Sequence, residues 1–314
     1  MGRLRRFSGG EEDILLTQRC ILGRSRACTV RVVEPSVSGE HASLRWVGGI
    51  WEIQDLHSRN GTFVDGRRLA AGERAALISG SVLGFGRPDS FILVDVDPPE
   101  AFAAPLGGGP PVVTQSGLLG LPDPVAPLLM IFLARDGWMV ERAGEAVAVG
   151  DGEIVRIGGD AWKLYLPEPL PETVDSMASP AGIDNIRLRF HVSRDEEYVE
   201  LVALHGGRTI DLKARAHHYL LLMLARARLR DRTLPDDRQG WVLQSDLLTM
   251  LRVDANHLHL DIYRLRRQFG EAAIVNAARI IERRAGTRAL RIGLARIEIV
   301  ALDGSHPRGD RTAP

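Results

Sequence analysis

Lysine is nearly absent from this 314-residue chain: only Lys163 and Lys213 occur, so 38 of the 40 basic residues are arginine. Cysteine is almost as scarce. Cys20 and Cys28 cannot build a disulfide framework, and with no Cys-x-x-Cys pair they offer no zinc site. They read as small buried residues in a reducing cytoplasm. The longest apolar run, Val125 to Ala134, has ten residues and contains Pro127, too short to span a bilayer. The N-terminus lacks the apolar core of a secretory signal, and Arg6 stands where a myristoylation signal takes serine or threonine. A cytoplasmic protein without a membrane partner is expected. Net charge is missing too, with 40 basic groups against 40 acidic. That zero is an average. Residues 1–182 carry 17 basic and 23 acidic groups, whereas residues 183–304 carry 21 and 16. The basic excess lies in the C-terminal part, where it favours an acidic partner such as nucleic acid.

Two stretches interrupt the apolar patterning. Residues 97–111 hold five prolines and three glycines, a composition that excludes helix or central strand, and residues 167–182 are again proline-rich and polar. They read as linkers that separate segments 1–96, 112–166 and 183–304, with a polar tail at 305–314. The first segment has short runs rich in Val, Ile, Leu and Trp (27–33, 42–47, 50–54 and 90–96) between turns such as Gly48-Gly49 and Asn60-Gly61. That spacing predicts a β-sandwich.

Within the first segment stand Gly23-Arg24, then Ser38-Gly39-Glu40-His41, then Ser58-Arg59-Asn60-Gly61-Thr62-Phe63-Val64-Asp65-Gly66. An arginine at a loop offers paired donors to a phosphate, and a serine hydroxyl adds another. In order and separation the three motifs resemble the forkhead-associated (FHA) domain, a β-sandwich that binds phosphothreonine peptides. The resemblance implies that Arg24 and Ser38 hold the phosphate, that Asn60 fixes the peptide backbone and that Arg59 assists. It gives His41, Gly61 and Gly23 the task of shaping the loops. Gly39 and Glu40 depart from the family, many of whose members have a basic residue there.

The middle segment, 112–166, echoes the latter half of the first. Gly49-Ile50-Trp51-Glu52-Ile53 returns as Asp136-Gly137-Trp138-Met139-Val140, and 78–86 returns as 149–158. Trp51 and Val82 lie 31 positions apart, Trp138 and Ile154 only 16. The missing stretch is the one that holds Asn60-Gly61-Thr62. If this is a small, degenerate half-repeat, it cannot read phosphate in the same way and has trouble burying a core alone, so it packs on a neighbour or self-associates; the alternative is coincidence, since Gly-Trp hairpins are common.

Helical periods appear only in the third segment, over 214–229 and from 258 to 269. At about 100° per residue, Leu258, Ile262, Leu265 and Phe269 share one side of the last helix. Asn256, His257, Leu260, Tyr263, Arg264 and Arg267 take the other, and Asp254 is placed to cap its start. Leu258-His259-Leu260-Asp261-Ile262-Tyr263-Arg264-Leu265-Arg266-Arg267-Gln268-Phe269 resembles the recognition helix of the winged-helix domain of bacterial response regulators. Strands at 186–192 and 198–204, a second helix over 244–251 and a hairpin over 279–292 complete that pattern. The resemblance implies an α+β winged helix-turn-helix domain. Asn256, His257, Tyr263, Arg264 and Arg267 then face base edges of double-stranded DNA, with Arg283, Arg284 and Arg288 on the wing against phosphate.

His217-His218 and His257-x-His259 do not share a helix face at metal-ligand spacing, and neither a phosphate-binding Gly-Lys loop nor a nucleophile elbow occurs. No enzyme, metal or cofactor is expected. The chain reads as a multidomain transcription regulator downstream of a Ser/Thr kinase, docking a phosphothreonine-containing protein or peptide on an all-β FHA-type sandwich. A second reading is an interaction adaptor whose winged helix does not bind DNA. Thr173, in the second linker, is a further candidate: once phosphorylated it would occupy the Arg24 site from within the chain or from a second copy.

Overall fold

Alternation in Ile50-Trp51-Glu52-Ile53-Gln54-Asp55 places Trp51, Ile53 and Asp55 on one face of a strand, and those three are buried while their neighbours are not. The computed structural model describes residues 1–7, 9, 13–134, 137–142, 145–168, 180–284 and 286–302. It divides into two compact units. The first holds residues 1–101 with 165–168, and the second holds 102–164 and, among the described residues, 180–302.

In the first unit the strands are β1 (Arg3–Arg6), β2 (Ile14–Leu15), β3 (Arg19–Gly23), β4 (Val30–Arg31), β5 (Ala42–Val47), β6 (Ile50–Asp55), β7 (Thr62–Val64), β8 (Arg67–Arg68), β9 (Arg74–Leu77), β10 (Val82–Phe85) and β11 (Phe91–Asp95). They form two sheets, β2-β1-β11-β10-β7-β8 and β4-β3-β5-β6-β9. Leu4, Leu22, Leu44, Trp51, Ile53, Phe85 and Phe91 are fully buried in one cluster. Cys20 lies in it as a free thiol, which burial pushes up to about 11.

The second unit opens with eight strands: β12 (Phe102–Pro105), β13 (Val112–Val113), β14 (Leu118–Leu121), β15 (Leu129–Ala134), β16 (Gly137–Arg142), β17 (Glu145–Ala148), β18 (Ile154–Ile157) and β19 (Asp160–Tyr165). One correction concerns residues 97–111, expected as a linker. Phe102–Pro105 is an inner strand in the order β13-β12-β19-β18. The prolines bracket Phe102-Ala103-Ala104 rather than interrupt it, and Phe102 and Ala103 are buried.

The echo also runs further than the sequence suggests. The order β13-β12-β19-β18 reproduces β2-β1-β11-β10, and β14-β15-β16-β17 reproduces β3-β5-β6-β9. Even a turn is copied. Gly80 donates its N–H to Leu93 O and Leu93 donates to Ser81 O; likewise Gly152 donates to Leu164 O and Leu164 to Glu153 O. This is a sandwich with both sheets, and among the described residues only counterparts of β4, β7 and β8 are missing.

Next come β20 (Arg187–Val192), β21 (Val199–His205), β22 (Arg208–Ala214), α1 (His218–Arg230), β23 (Val242–Leu243), α2 (Gln244–Leu251), α3 (Ala255–Glu271), β24 (Ile281–Arg284), β25 (Ala289–Ile292) and β26 (Ile297–Ala301). Strands β22-β21-β20-β26 form one sheet, with β26 parallel to β20, and β23-β25-β24 form a small antiparallel one. The first helix starts at His218 rather than Ala214, because Arg208–Ala214 is held in the ladder with β21. Leu258, Ile262, Leu265 and Phe269 are buried as their spacing predicts, and the Asp254 carboxylate accepts the His257 N–H at 2.7 Å. Leu118, Met130 and Phe132 of the truncated sandwich belong to the same apolar cluster as these α3 residues. The truncated sandwich therefore shares one core with the three-helix part.

Candidate functional site

Two short loops of the first unit meet at one end of the sandwich because backbone groups tie them together. Arg24 N–H donates to Ser38 O and Ser25 N–H to Gly39 O, each at 2.9 Å. A Cβ at Gly23 would run into the Gly39 carbonyl oxygen, so this approach requires glycine. Arg24 is exposed and makes no ion pair among the described residues. The Ser38 hydroxyl oxygen accepts the Arg59 N–H at 3.1 Å, which anchors it while leaving its own proton to donate. Asn60 donates its side-chain N–H to Ser36 O at 2.7 Å. Arg24, Ser38, Arg59 and Asn60 thus converge. Arg59 and Asn60 are exposed, as is Glu40.

Beneath them lies a buried frame. His41 Nδ1 accepts the Ser38 N–H and its Nε2–H donates to Gly61 O, both at 3.0 Å, so one imidazole spans the two loops. Burial pushes its pKa below the ordinary histidine value and keeps the ring neutral, as this pairing needs. Gly61 sits at φ +90°, and a Cβ there would collide with the Arg68 side chain. Asp55 is the hub that sequence reasoning missed. Its carboxylate accepts the hydroxyls of Ser58 at 2.5 Å and Thr62 at 2.7 Å, and the Ser58 N–H at 3.1 Å. Burial by itself raises this carboxyl, but those hydrogen bonds hold it below the usual range. Its signal was the Asp-x-x-Ser spacing into the Ser58 motif. Thr173, the candidate internal ligand, lies outside the described residues.

The eight residues expected to face DNA, five on α3 and three on the β24–β25 hairpin, separate into two groups. Asn256, His257 and Arg264 are exposed, as are Arg284 and Arg288 on the β24–β25 hairpin; Arg267 is half-buried and pairs with Glu271 at 3.3 Å. Tyr263 does not face solvent: it is buried, and its hydroxyl donates to Pro124 O at 2.6 Å. Arg283 is held at 2.6 Å by Glu141, and Arg288 Nε meets Glu145 at 3.0 Å. The helical wheel puts Tyr263 on the side opposite Leu258 and Ile262, but the truncated sandwich covers that strip of helix.

Glu141, on β16, anchors the contact. Its carboxylate takes Arg266 at 2.9 Å and Arg283 at 2.6 Å, with His259 Nδ1 at 3.8 Å. Arg266 also donates to Ala278 O and Ile281 O, and its guanidinium lies 4.2 Å from the centre of the Phe132 ring. Full burial works to raise the Glu141 carboxyl, yet the two arginines hold it at about 2. Among the described residues no cluster of His, Cys, Asp and Glu is arranged to hold a metal ion.

The family model of the FHA domain matches residues 20–86, and these residues carry an FHA domain. Among solved structures, one from a structural and functional analysis of phosphothreonine-dependent FHA domain interactions is 26% identical, with a TM-score of 0.27, covering 30% of this chain and 95% of that one. The FHA domain of the CT664 protein from Chlamydia trachomatis is 25% identical, with a TM-score of 0.27, over 30% of this chain and 96% of that one. Mycobacterium tuberculosis EmbR, in complex with a low affinity phosphopeptide, is 21% identical with a TM-score of 0.28; the likeness covers 31% of this chain and 25% of that one. No curated protein matches the chain.

Proposed function

We propose that this protein is a phosphorylation-responsive DNA-binding regulator. The FHA domain docks a threonine-phosphorylated protein, the product of a Ser/Thr kinase, and the three-helix part of the second unit acts as a winged helix on double-stranded DNA. One observation carries the first step: an uncommitted Arg24 beside an anchored Ser38 hydroxyl, with Arg59 and Asn60 at the same loop end. A phosphothreonine brings nearly two negative charges and several acceptor oxygens to such a place. The second step is supported by the order of helices and hairpin and by exposed Asn256, His257 and Arg264 on α3. Fluorescence anisotropy of the full chain with a mixed-sequence duplex, with and without a phosphothreonine peptide, tests the coupling. Affinity should change with the phosphorylated peptide and not with its unphosphorylated form. Equal DNA affinity in all three conditions removes the coupling.

Burial of Tyr263 and capture of Arg283 by Glu141 favour a second reading, an adaptor whose helical part contacts protein instead of DNA. Replacing Arg264 and Arg267 with alanine separates the two. A regulator loses duplex affinity, most visibly at low salt, while an adaptor keeps its DNA behaviour unchanged.

A further inference from the structure

Two carboxylates on one hairpin meet the arginines of the β24–β25 hairpin, and their circumstances differ. Glu141 is fully buried between Arg266 and Arg283, a contact inside the core. Glu145 and Arg288 are both exposed, about 62% and 66%. An exposed pair contributes little and is screened by salt, so any stronger anion can take its place. Between β17 and the β24–β25 hairpin lies an open cleft of about 420 Å³, lined by Arg283, Arg284 and Arg288 on one side and by Met139, Glu145 and Val147 on the other. Arg284 has no acidic partner among the described residues; its guanidinium lies 5.6 Å from the centre of the Trp241 ring. Arg283 stays on Glu141, so two guanidinium groups, Arg284 and Arg288, face one displaceable carboxylate, with an apolar wall opposite.

We propose that this cleft is part of the nucleic-acid interface: it seats a backbone phosphate of double-stranded DNA, and Glu145 of the truncated sandwich occupies the phosphate position on Arg288 until DNA displaces it. The inference rests on the DNA-binding reading above and adds to it a second wall. The truncated sandwich supplies that wall and sets how tightly the arginines of β24 and its turn engage DNA. Charge selects the occupant, because a chain of phosphates offers Arg284 the anion it lacks and Arg288 a stronger one than Glu145, whereas an apolar or basic peptide does not.

The test uses the full chain and a 30-base-pair mixed-sequence duplex, read by anisotropy at two salt concentrations. Glu145→Gln removes the competitor and should tighten binding about fivefold at low salt, less at high salt. Val147→Glu places a new negative charge on the apolar wall at an exposed position and should weaken binding by a similar factor. Arg264→Ala, on α3 and away from the cleft, reports on the DNA reading by itself. If Arg264→Ala weakens binding while Glu145→Gln and Val147→Glu leave it unchanged, the cleft proposal is overturned and DNA binding stands. If no form of the chain binds the duplex, the DNA reading falls and the cleft proposal falls with it.

Discussion

In the first sandwich the chain leaves β3 at Gly23, runs through β4 and reaches β5 at Ala42; after β6 it detours through β7 and β8 before β9. In the second sandwich β14 ends at Leu121 and β15 begins at Leu129, and β17 begins three positions after β16 ends. The same strand order thus carries two different ends. The long loops of the first hold Arg24, Ser38 and Asn60. The short connections of the second hold Pro124, which takes the Tyr263 hydroxyl, and lead from Glu141 to Glu145. Loop length decides what each end can grip. Long loops fold back on one another through His41 and Asp55 and leave Arg24 exposed. Short ones leave the sheet end bare, and here it packs on helix and hairpin of the same unit.

The largest expected effect strikes the second sandwich. Glu141→Ala leaves Arg266 and Arg283 without their buried counter-charge and should cost about 3–5 kcal/mol, read as a shift of one transition in chemical denaturation of the full chain. A shift no larger than that of a surface substitution would mean that the two parts do not depend on this carboxylate. On the first sandwich, Arg24→Ala should raise the Kd for a phosphothreonine peptide roughly 10- to 100-fold, with Tm unchanged, by calorimetry. Unchanged affinity would leave the two sandwiches alike in reading no phosphate. Smaller again is Gly61→Ala, which forces a side chain into φ +90° and against Arg68 and should cost about 1–3 kcal/mol, confined to the first unit.

Acidification should produce the smallest change and should touch both sandwiches. Burial depresses the pKa of His41 in the first unit and of His259, beside Glu141, in the second. Each ring is neutral when folded, and the unfolded chain takes up the proton first as pH falls below the ordinary histidine value. Stability is therefore full above about pH 6.5 and is lost progressively below it. Thermal melts between pH 7.5 and 5.5 check this. In a His259→Phe chain the second transition should lose part of its pH dependence while the first keeps it.

Much of this was legible in the residues because it depends on neighbours in sequence. Strand β6 follows its alternation, α3 buries Leu258, Ile262, Leu265 and Phe269 as their spacing predicts, and Asp254 caps α3 through a contact three residues away. The FHA motifs are short strings whose loop geometry is largely local. Other features depend on pairing at a distance. Phe102–Pro105 looks like linker because its prolines dominate the composition, yet its partners β13 and β19 make it an inner strand. Ala214 reads as helix former, but β21, over ten residues earlier, claims it first. Asp55 looks like an ordinary strand-end acid until Ser58 and Thr62 close on it.

Arginine use shows the division most plainly. From the sequence, the basic excess of residues 183–304 and the polar strip of α3 point to an exposed cationic face, since helix geometry assigns each residue to a side. Helix geometry does not say what lies against that side. Arg264 and Arg284 remain exposed, whereas Arg266 is buried and Arg283 half-buried on a glutamate more than a hundred residues upstream. The sequence by itself determined the local elements, the FHA loop motifs and the sign of the charge. Only the tertiary structure decided which arginines are spent inside the core and which are left for a partner, because that depends on a sandwich whose shortened loops bring Glu141 against them.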